Sequence, residues 1–368
     1  MLNKTYRSHF HWPLLGVTVA LVFIGILNLH SATYNLARGE TSPLLWSQIT
    51  WLVIGTGVGV FFLILDYRIL IRLAYPAYGV SLLLLILVVF FGKTVAGNRS
   101  WLVVGPLTFQ PSEFAKLALV VVLSRYLSDH LKEKGGYGFV DLLLPGFLSA
   151  LPLFLIVLGK DLGSALFFLV VSVTLLLFVG IRRQVLLFCF AFILIAGTTA
   201  YQFVLSPHQR ARIEAFVNPG ADPRGKGYHI LQSKITVGSG RILGNGYLKG
   251  MHSKLLFLPE KHTDFIFPVL AEEWGFVGSM VVLGLYGALF VFGLEITRKA
   301  RDRFGFFLAL GITALLFWQT VINLSGVLGL IPLTGVTFPL LSYGGSSLVT
   351  ILIGIGLLLN VSMRRFMF

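Results

Sequence analysis

Apolar runs of about twenty residues recur along almost the whole chain, separated by short segments that hold most of the charge. A helix needs about twenty apolar residues to cross a hydrocarbon layer ~30 Å thick. Runs of that length predict spans at 13–32, 46–65, 73–91, 110–127, 139–159, 162–180, 184–205, 266–297, 305–330 and 343–362. The fourth carries Glu113 and Lys116, and Lys160-Asp161 interrupts the fifth and sixth, so those two also read as one broken segment. The pattern predicts an all-α, polytopic integral membrane protein with about ten transmembrane helices. A single domain covers 1–368, with one long extracytoplasmic loop, 206–265, between helices seven and eight.

Composition agrees. With 56% hydrophobic and 12% charged residues and a mean hydropathy of +0.86, the chain is too apolar for a soluble protein of its length. The single cysteine, Cys189, lies in an apolar run and can form no internal disulfide. The short loops on the side of both termini hold fifteen Lys and Arg, whereas those opposite hold only Arg38, Lys93, Arg99 and Lys160. By the positive-inside rule both termini are cytoplasmic, which requires an even number of spans. The first apolar segment is too long for a signal-peptide core and reads as a retained helix.

The long loop breaks the charge rule. Residues 206–263 carry nine basic residues against three acidic, a net of +6 with histidines uncharged, and loops approaching about 60 residues largely escape the rule. The excess fits either attraction to anionic headgroups or docking of a substrate with phosphate groups. Eight glycines in the loop would let backbone amides approach phosphate oxygens, although neither a P-loop nor a dinucleotide fingerprint is present. On the outer face of a membrane such a loop has no nucleic-acid partner.

Other polar positions stand out against the apolar background. Gln110-Pro111-Ser112-Glu113 has the composition of a helix start. Glu113 and Lys116 share a helix face and can pair. With Asp161 they read either as a buried ionic cluster or as direct substrate contacts, because intramembrane charges are costly unless paired or facing a cavity. Gln319, Asn323 and Ser325 are candidates for hydrogen bonds between helices, and Trp12, Trp46, Trp51 and Trp101 for interface belts. The stretch 331–347 is uncharged but dense in Pro, Gly and hydroxyls. In the segment 258–278, Asp264 stands between the basic loop and an apolar helix; it reads as a general base or as an ordinary helix N-cap. His262 is the rival base, and Glu272 and Glu273 read as supporting residues.

These motifs in combination carry a family resemblance. His262 through Phe267 with Ala271-Glu272-Glu273-Trp274-Gly275, Gln110 through Glu113, Lys226-Gly227-Tyr228 with Gln232-Ser233, and Pro339 through Ser347 resemble the shape, elongation, division and sporulation (SEDS) family. Pro259 through His262 looks most like its RodA branch, which serves cell elongation, rather than the division-specific FtsW branch. The resemblance implies a ten-helix peptidoglycan glycosyltransferase that polymerises lipid II at the outer face of the bacterial inner membrane. It implies work beside a class B penicillin-binding transpeptidase and other elongation-complex membrane proteins. It maps the essential acid onto Asp264. Arg210, Lys226, Lys234, Lys261, Trp101, Gln232, Ser233 and Ser346 are the candidate substrate-binding residues, and a divalent cation such as Mg2+ is a candidate cofactor. The chain departs from the family pattern at Gly159-Lys160, where Gln-Pro often stands, and at Arg99-Ser100-Trp101, where Arg and Trp are often adjacent. The rival function is a flippase for lipid-linked precursors, with Glu113, Lys116 and Asp161 lining its path.

Overall fold

The computed structural model describes residues 10–34, 40–95, 98–105, 107–132, 136–188, 226–251 and 260–365, with isolated helical positions between 191 and 216. Its helices are α1 (Trp12–Thr33), α2 (Pro43–Ile64), α3 (Ile69–Phe91), α4 (Pro111–His130), α5 (Phe139–Leu158), α6 (Leu162–Val179), α7 (Lys226–Ser239), α8 (Ile266–Arg298), α9 (Arg303–Val327) and α10 (Gly345–Met363). All but α4 and α7 are long and apolar enough to cross a membrane, which makes eight among the described residues. Most of the seventh expected span, 184–205, lies outside the described residues; its first turn is helical at 183–188.

Helix starts follow local chemistry. Ser42 caps α2 ahead of Pro43, Asp161 caps α6 by accepting from the Ser164 amide, and Asp302 caps α9 through the Gly305 amide. At α4, Gln110 is the N-cap, Pro111 opens the helix and Glu113 lies in the first turn, as the composition predicts.

Helix α4 is the least apolar of the long helices, yet fourteen of its twenty residues are buried. It packs against α3, α5, α6, α9 and α10. The expected fourth span, 110–127, is therefore not among the eight, and α4 tolerates Glu113 and Lys116 because the surrounding helices enclose it. Helix α10 is likewise central, with 94% of its most apolar window buried, whereas α2 buries 17% and presents its flank to lipid.

The all-α fold holds, with one small element of sheet in a connection. Between α3 and α4 the chain forms a small antiparallel sheet in the order β1 (Lys93–Val95), β2 (Asn98–Val104), β3 (Leu107–Phe109). Thr94 pairs with Arg99 and Leu102 with Phe109. The segment holds β-branched and aromatic residues, among them Thr94, Val95, Trp101, Val103, Thr108 and Phe109, interrupted by glycines, a short-range strand signal that the longer helical runs on either side overshadow.

Helix α8 is two helices joined at Gly275, where φ is +66° and ψ −165°. The turn 240–246 fits into this break. The amides of Phe276 and Val277 donate to the carbonyls of Arg241 and Ile242, and those of Asn245 and Gly246 donate to the carbonyls of Glu272 and Glu273. A Cβ on Gly275 would lie 2.2 Å from the Gly244 nitrogen, so only glycine admits the contact. Glu272 and Glu273 are buried there, and the Ser31 hydroxyl donates to Glu273.

Candidate active site in a polar cavity at the hairpin face

A cavity of about 330 Å³ opens at the end of the bundle that carries the hairpin. Its wall comes from six places distant in sequence: Trp51 from α2, Trp101 from β2, Gln110 and Glu113 from the start of α4, Asp161 from the cap of α6, His262 and Asp264 from the turn before α8, and Thr337 and Ser346 from the approach to α10 and its first turn.

Asp264 is half-buried on this wall. The N-cap of α8 is Phe265, with no side-chain cap bond, so the carboxylate of Asp264 is not the helix cap. Its backbone is clamped instead. The side-chain amide of Asn323 on α9 donates 3.0 Å to the Asp264 carbonyl and also to that of Val336. The Ser342 hydroxyl donates to the Thr263 carbonyl, and the Tyr343 amide donates 2.8 Å to that of His262. Three bonds to α9 and the α10 approach thus hold residues 262–264 in place. Burial pushes the His262 imidazole below its ordinary pKa; Lys261 acts the same way, and Glu260 opposes both.

The three intramembrane charges do not form one cluster. Lys116 Nζ is 2.8 Å from Glu113 Oε1 and sits 4.8 Å from the Phe167 ring centre, with both charged groups buried. Asp161 is engaged elsewhere: it accepts from the Ser164 amide at 3.1 Å, the Ser164 hydroxyl at 2.8 Å and Gln110 Nε2 at 3.3 Å. Its cap geometry turns the carboxylate back onto α6. Glu113 and Asp161 reach the cavity wall; Lys116 does not.

The segment before α10 is fastened from several sides. Gln319 Nε2 lies within 3.1–3.2 Å of the Thr337 carbonyl and hydroxyl and of Ser347 Oγ. Ser346 Oγ accepts from the Gln110 amide at 3.0 Å, joining the α10 start to the α4 start. Gln319 and Asn323 therefore hold this segment and the Asp264 turn, where the sequence suggested bonds between helices. Trp51, expected in an interface belt, also lines the cavity: a Cβ on Gly345 would lie 2.4 Å from its indole, so the close approach requires glycine. Asn98 and Thr108 are wall residues that the sequence reading did not name, and Thr337 is one of the hydroxyls of the 331–347 stretch.

Of the substrate-binding candidates, the structure brings Trp101 and Ser346 to the cavity with Asp264 and leaves others off its wall. Ser233 is fully buried, and its hydroxyl donates 2.6 Å to the Val327 carbonyl, fixing α7 against α9 in place of meeting a ligand. Gln232 and Lys234 lie on the same helix and do not line the cavity; the Lys234 stem passes against Gly329. Arg210 is an isolated described position away from the wall. The Lys226 side chain lies outside the described residues. Lys261 is half-buried and adjoins the wall residue His262 in the chain. Among the described residues no three His, Cys, Asp or Glu side chains converge to hold a metal.

The fold and the cavity together define a multi-pass membrane protein with an acid-lined polar chamber to whose wall a small β-sheet contributes. The family model described as "Cell cycle protein", covering FtsW, RodA and SpoVE, matches residues 12–366, and the chain belongs to that family. The chain is 36% identical to a protein of Trichlorobacter lovleyi named probable peptidoglycan glycosyltransferase FtsW, over 98% of this chain and 96% of that one. It is 33% identical to peptidoglycan glycosyltransferase MrdB of Escherichia coli K12, over 99% and 96% respectively. Rod shape determining protein RodA of Thermus thermophilus superposes with a TM-score of 0.72 at 33% identity, each chain covered to 98%. A chain from a structure described as "Structural coordination of polymerization and crosslinking by a peptidoglycan synthase complex" gives 0.82 at 35%, covering 98% of this chain and 99% of that one.

Proposed function

We propose that this chain is a peptidoglycan glycosyltransferase that polymerises lipid II in the cavity, with Asp264 as the base. The observation that carries the reading is the clamped Asp264 turn: a carboxylate on a polar wall, on a backbone held by Asn323, Ser342 and Tyr343. In the reaction a sugar hydroxyl attacks the anomeric carbon of a second lipid-linked sugar. The new glycosidic bond forms as the bond to the lipid pyrophosphate breaks, and the carboxylate takes the hydroxyl proton. A base held this way needs no reorganisation as the proton moves.

Glu113 Oε2 has no protein hydrogen-bond partner among the described residues and suits a sugar hydroxyl or amide donor. Ser346, Thr337 and Trp101 supply hydrogen bonds and an aromatic face for the sugar rings. Positive charge for the departing pyrophosphate comes, on this reading, from basic residues of the long loop, with Lys261 the candidate that adjoins the wall residue His262. A divalent cation, on this reading, arrives on the pyrophosphate and not in a protein cage. The cavity faces the outside of the cytoplasmic membrane, with both termini inside, and the protein works beside a class B penicillin-binding transpeptidase. The names of its relatives and the synthase complex among its structural neighbours support this reading.

The test is purified protein in neutral detergent supplied with lipid II. Wild type makes glycan polymer, and Asp264→Asn, which keeps the shape but accepts the proton poorly, makes none while melting like wild type. Long strands from Asp264→Asn overturn the base assignment, and movement of lipid II between leaflets without polymer replaces the enzyme with a flippase.

A further inference from the structure

A second polar pocket, of about 290 Å³, shares no wall residue with the Asp264 cavity. It lies where β1 and β2 meet the ends of α3 and α5, and its walls are Val89, Thr94, Arg99, Leu158, Gly159 and Lys160. Its charged wall residues are both cations. A water occupies about 30 Å³ of liquid, so a hydrated oxyanion fits.

The two cations are placed by the fold. The Arg99 amide donates 2.8 Å to the Gly159 carbonyl, and its guanidinium Nη1 donates 2.8 Å to the Val89 carbonyl at the end of α3. A Cβ on Gly159 would lie 2.6 Å from the Arg99 carbonyl oxygen, so the α5–α6 link runs directly against the strand. Lys160 follows with φ +63°, a left-handed conformation rare for a lysine and held here by the contact on one side and the α6 cap on the other. Both basic residues are exposed, and the nearest helix ends present bare hydrocarbon: Phe90 is 70%, Phe91 77% and Leu158 51% exposed. Two cations directly beside a lipid-facing apolar surface match a ligand with a phosphate at one end and acyl or prenyl chains at the other. A guanidinium also offers several donors in a plane suited to phosphate oxygens.

We propose that Arg99 and Lys160 form a binding site for the phosphate of a membrane lipid headgroup, separate from the Asp264 cavity. The site anchors a lipid against the β1–β2 strands, which also contribute to the cavity wall, with its chains along α3 and α5.

Native mass spectrometry of the full-length protein tests this by titration with phosphatidylglycerol, with undecaprenyl phosphate, and with diacylglycerol of matched chains as the phosphate-free control. The variants are Arg99→Gln and Lys160→Asn; asparagine tolerates the positive φ, so the second removes the charge with little backbone change. Both variants are expected to bind phosphatidylglycerol at least fivefold more weakly than wild type, with diacylglycerol unchanged. A loss confined to undecaprenyl phosphate also supports a phosphate site and assigns its source to the lipid carrier of the wall precursor. If Lys160→Asn binds both phosphate lipids like wild type, or loses diacylglycerol equally, the proposal is overturned. Should Arg99→Gln fail to fold for want of its Val89 bond, Lys160→Asn decides alone. Repeating the titration in the Asp264→Asn background keeps the result independent of the catalytic assignment.

Discussion

The side-chain amide of Asn323, on α9, donates a 3.0 Å hydrogen bond to the main-chain carbonyl of Asp264, and the same amide serves Val336. One residue in a buried helix therefore sets the position of the candidate base and of the facing cavity wall. Replacing Asn323 with alanine leaves two carbonyls without this donor, at a cost of about 1–3 kcal/mol in stability. Polymerisation should fall about tenfold in kcat, equivalent to about 1.4 kcal/mol, with KM for lipid II little changed, because Asn323 positions the base without contacting substrate. Steady-state kinetics with a melting curve check both; an unchanged kcat in a folded protein removes the positioning role.

The buried pair of Lys116 and Glu113, 2.8 Å apart, answers differently to single and double replacement. Lys116→Met strands a buried carboxylate and should cost about 3–5 kcal/mol, whereas Lys116→Met with Glu113→Gln should recover much of that loss. Asp161→Ala removes a helix cap from outside the pair and should cost about 0.5–2 kcal/mol. Thermal unfolding in detergent ranks the three variants, and an Asp161→Ala loss as large as that of Lys116→Met would restore a single three-residue cluster.

At Gly275 the backbone conformation and the Gly244 contact both exclude a side chain. Gly275→Ala should destabilise by about 3 kcal/mol or more and detach the 240–246 turn. Limited proteolysis reads this directly as new cleavage in that turn.

Acid should loosen the His262 turn. Because burial holds the His262 imidazole below its ordinary value of about 6.5, the folded state favours the neutral ring. As pH falls through about 6.5 the unfolded chain binds the proton first, so the stability present above that pH is lost on the acid side. His262→Gln lacks this titration, and its melting temperature should fall less than that of wild type between pH 7.5 and 5.5, a range chosen to span the histidine value. Parallel curves for the two proteins would place the acid response elsewhere.

Much of the site was legible before folding because its signals are local. The Gln110-Pro111-Ser112-Glu113 helix start, the three-residue spacing of Glu113 and Lys116, and the placing of Asp264 ahead of an apolar helix depend on neighbours a few residues away. The basic residues of the long loop were legible only as a charge total. Net charge says nothing of direction, and Lys234 and the Ser233 hydroxyl turn out to serve the packing of α7. Trp51 has the composition of a belt residue, and only its approach to Gly345 carries it to the cavity.

The sequence by itself located eight of the spans, because a nonpolar solvent demands about twenty apolar residues whatever the fold, and it located the start of α4 and the Glu113–Lys116 pair, which are short-range. The tertiary structure alone decided which polar groups share a chamber. Asp264, Trp101 and Ser346 are far apart along the chain, and they meet because α4 is buried among five helices and the segment before α10 is fastened by Gln319, Asn323 and Ser342. It also decided that Arg99 and Lys160, sixty-one positions apart, face one pocket. That meeting depends on a 2.8 Å bond between a strand and a helix end, a contact that no spacing along the chain encodes.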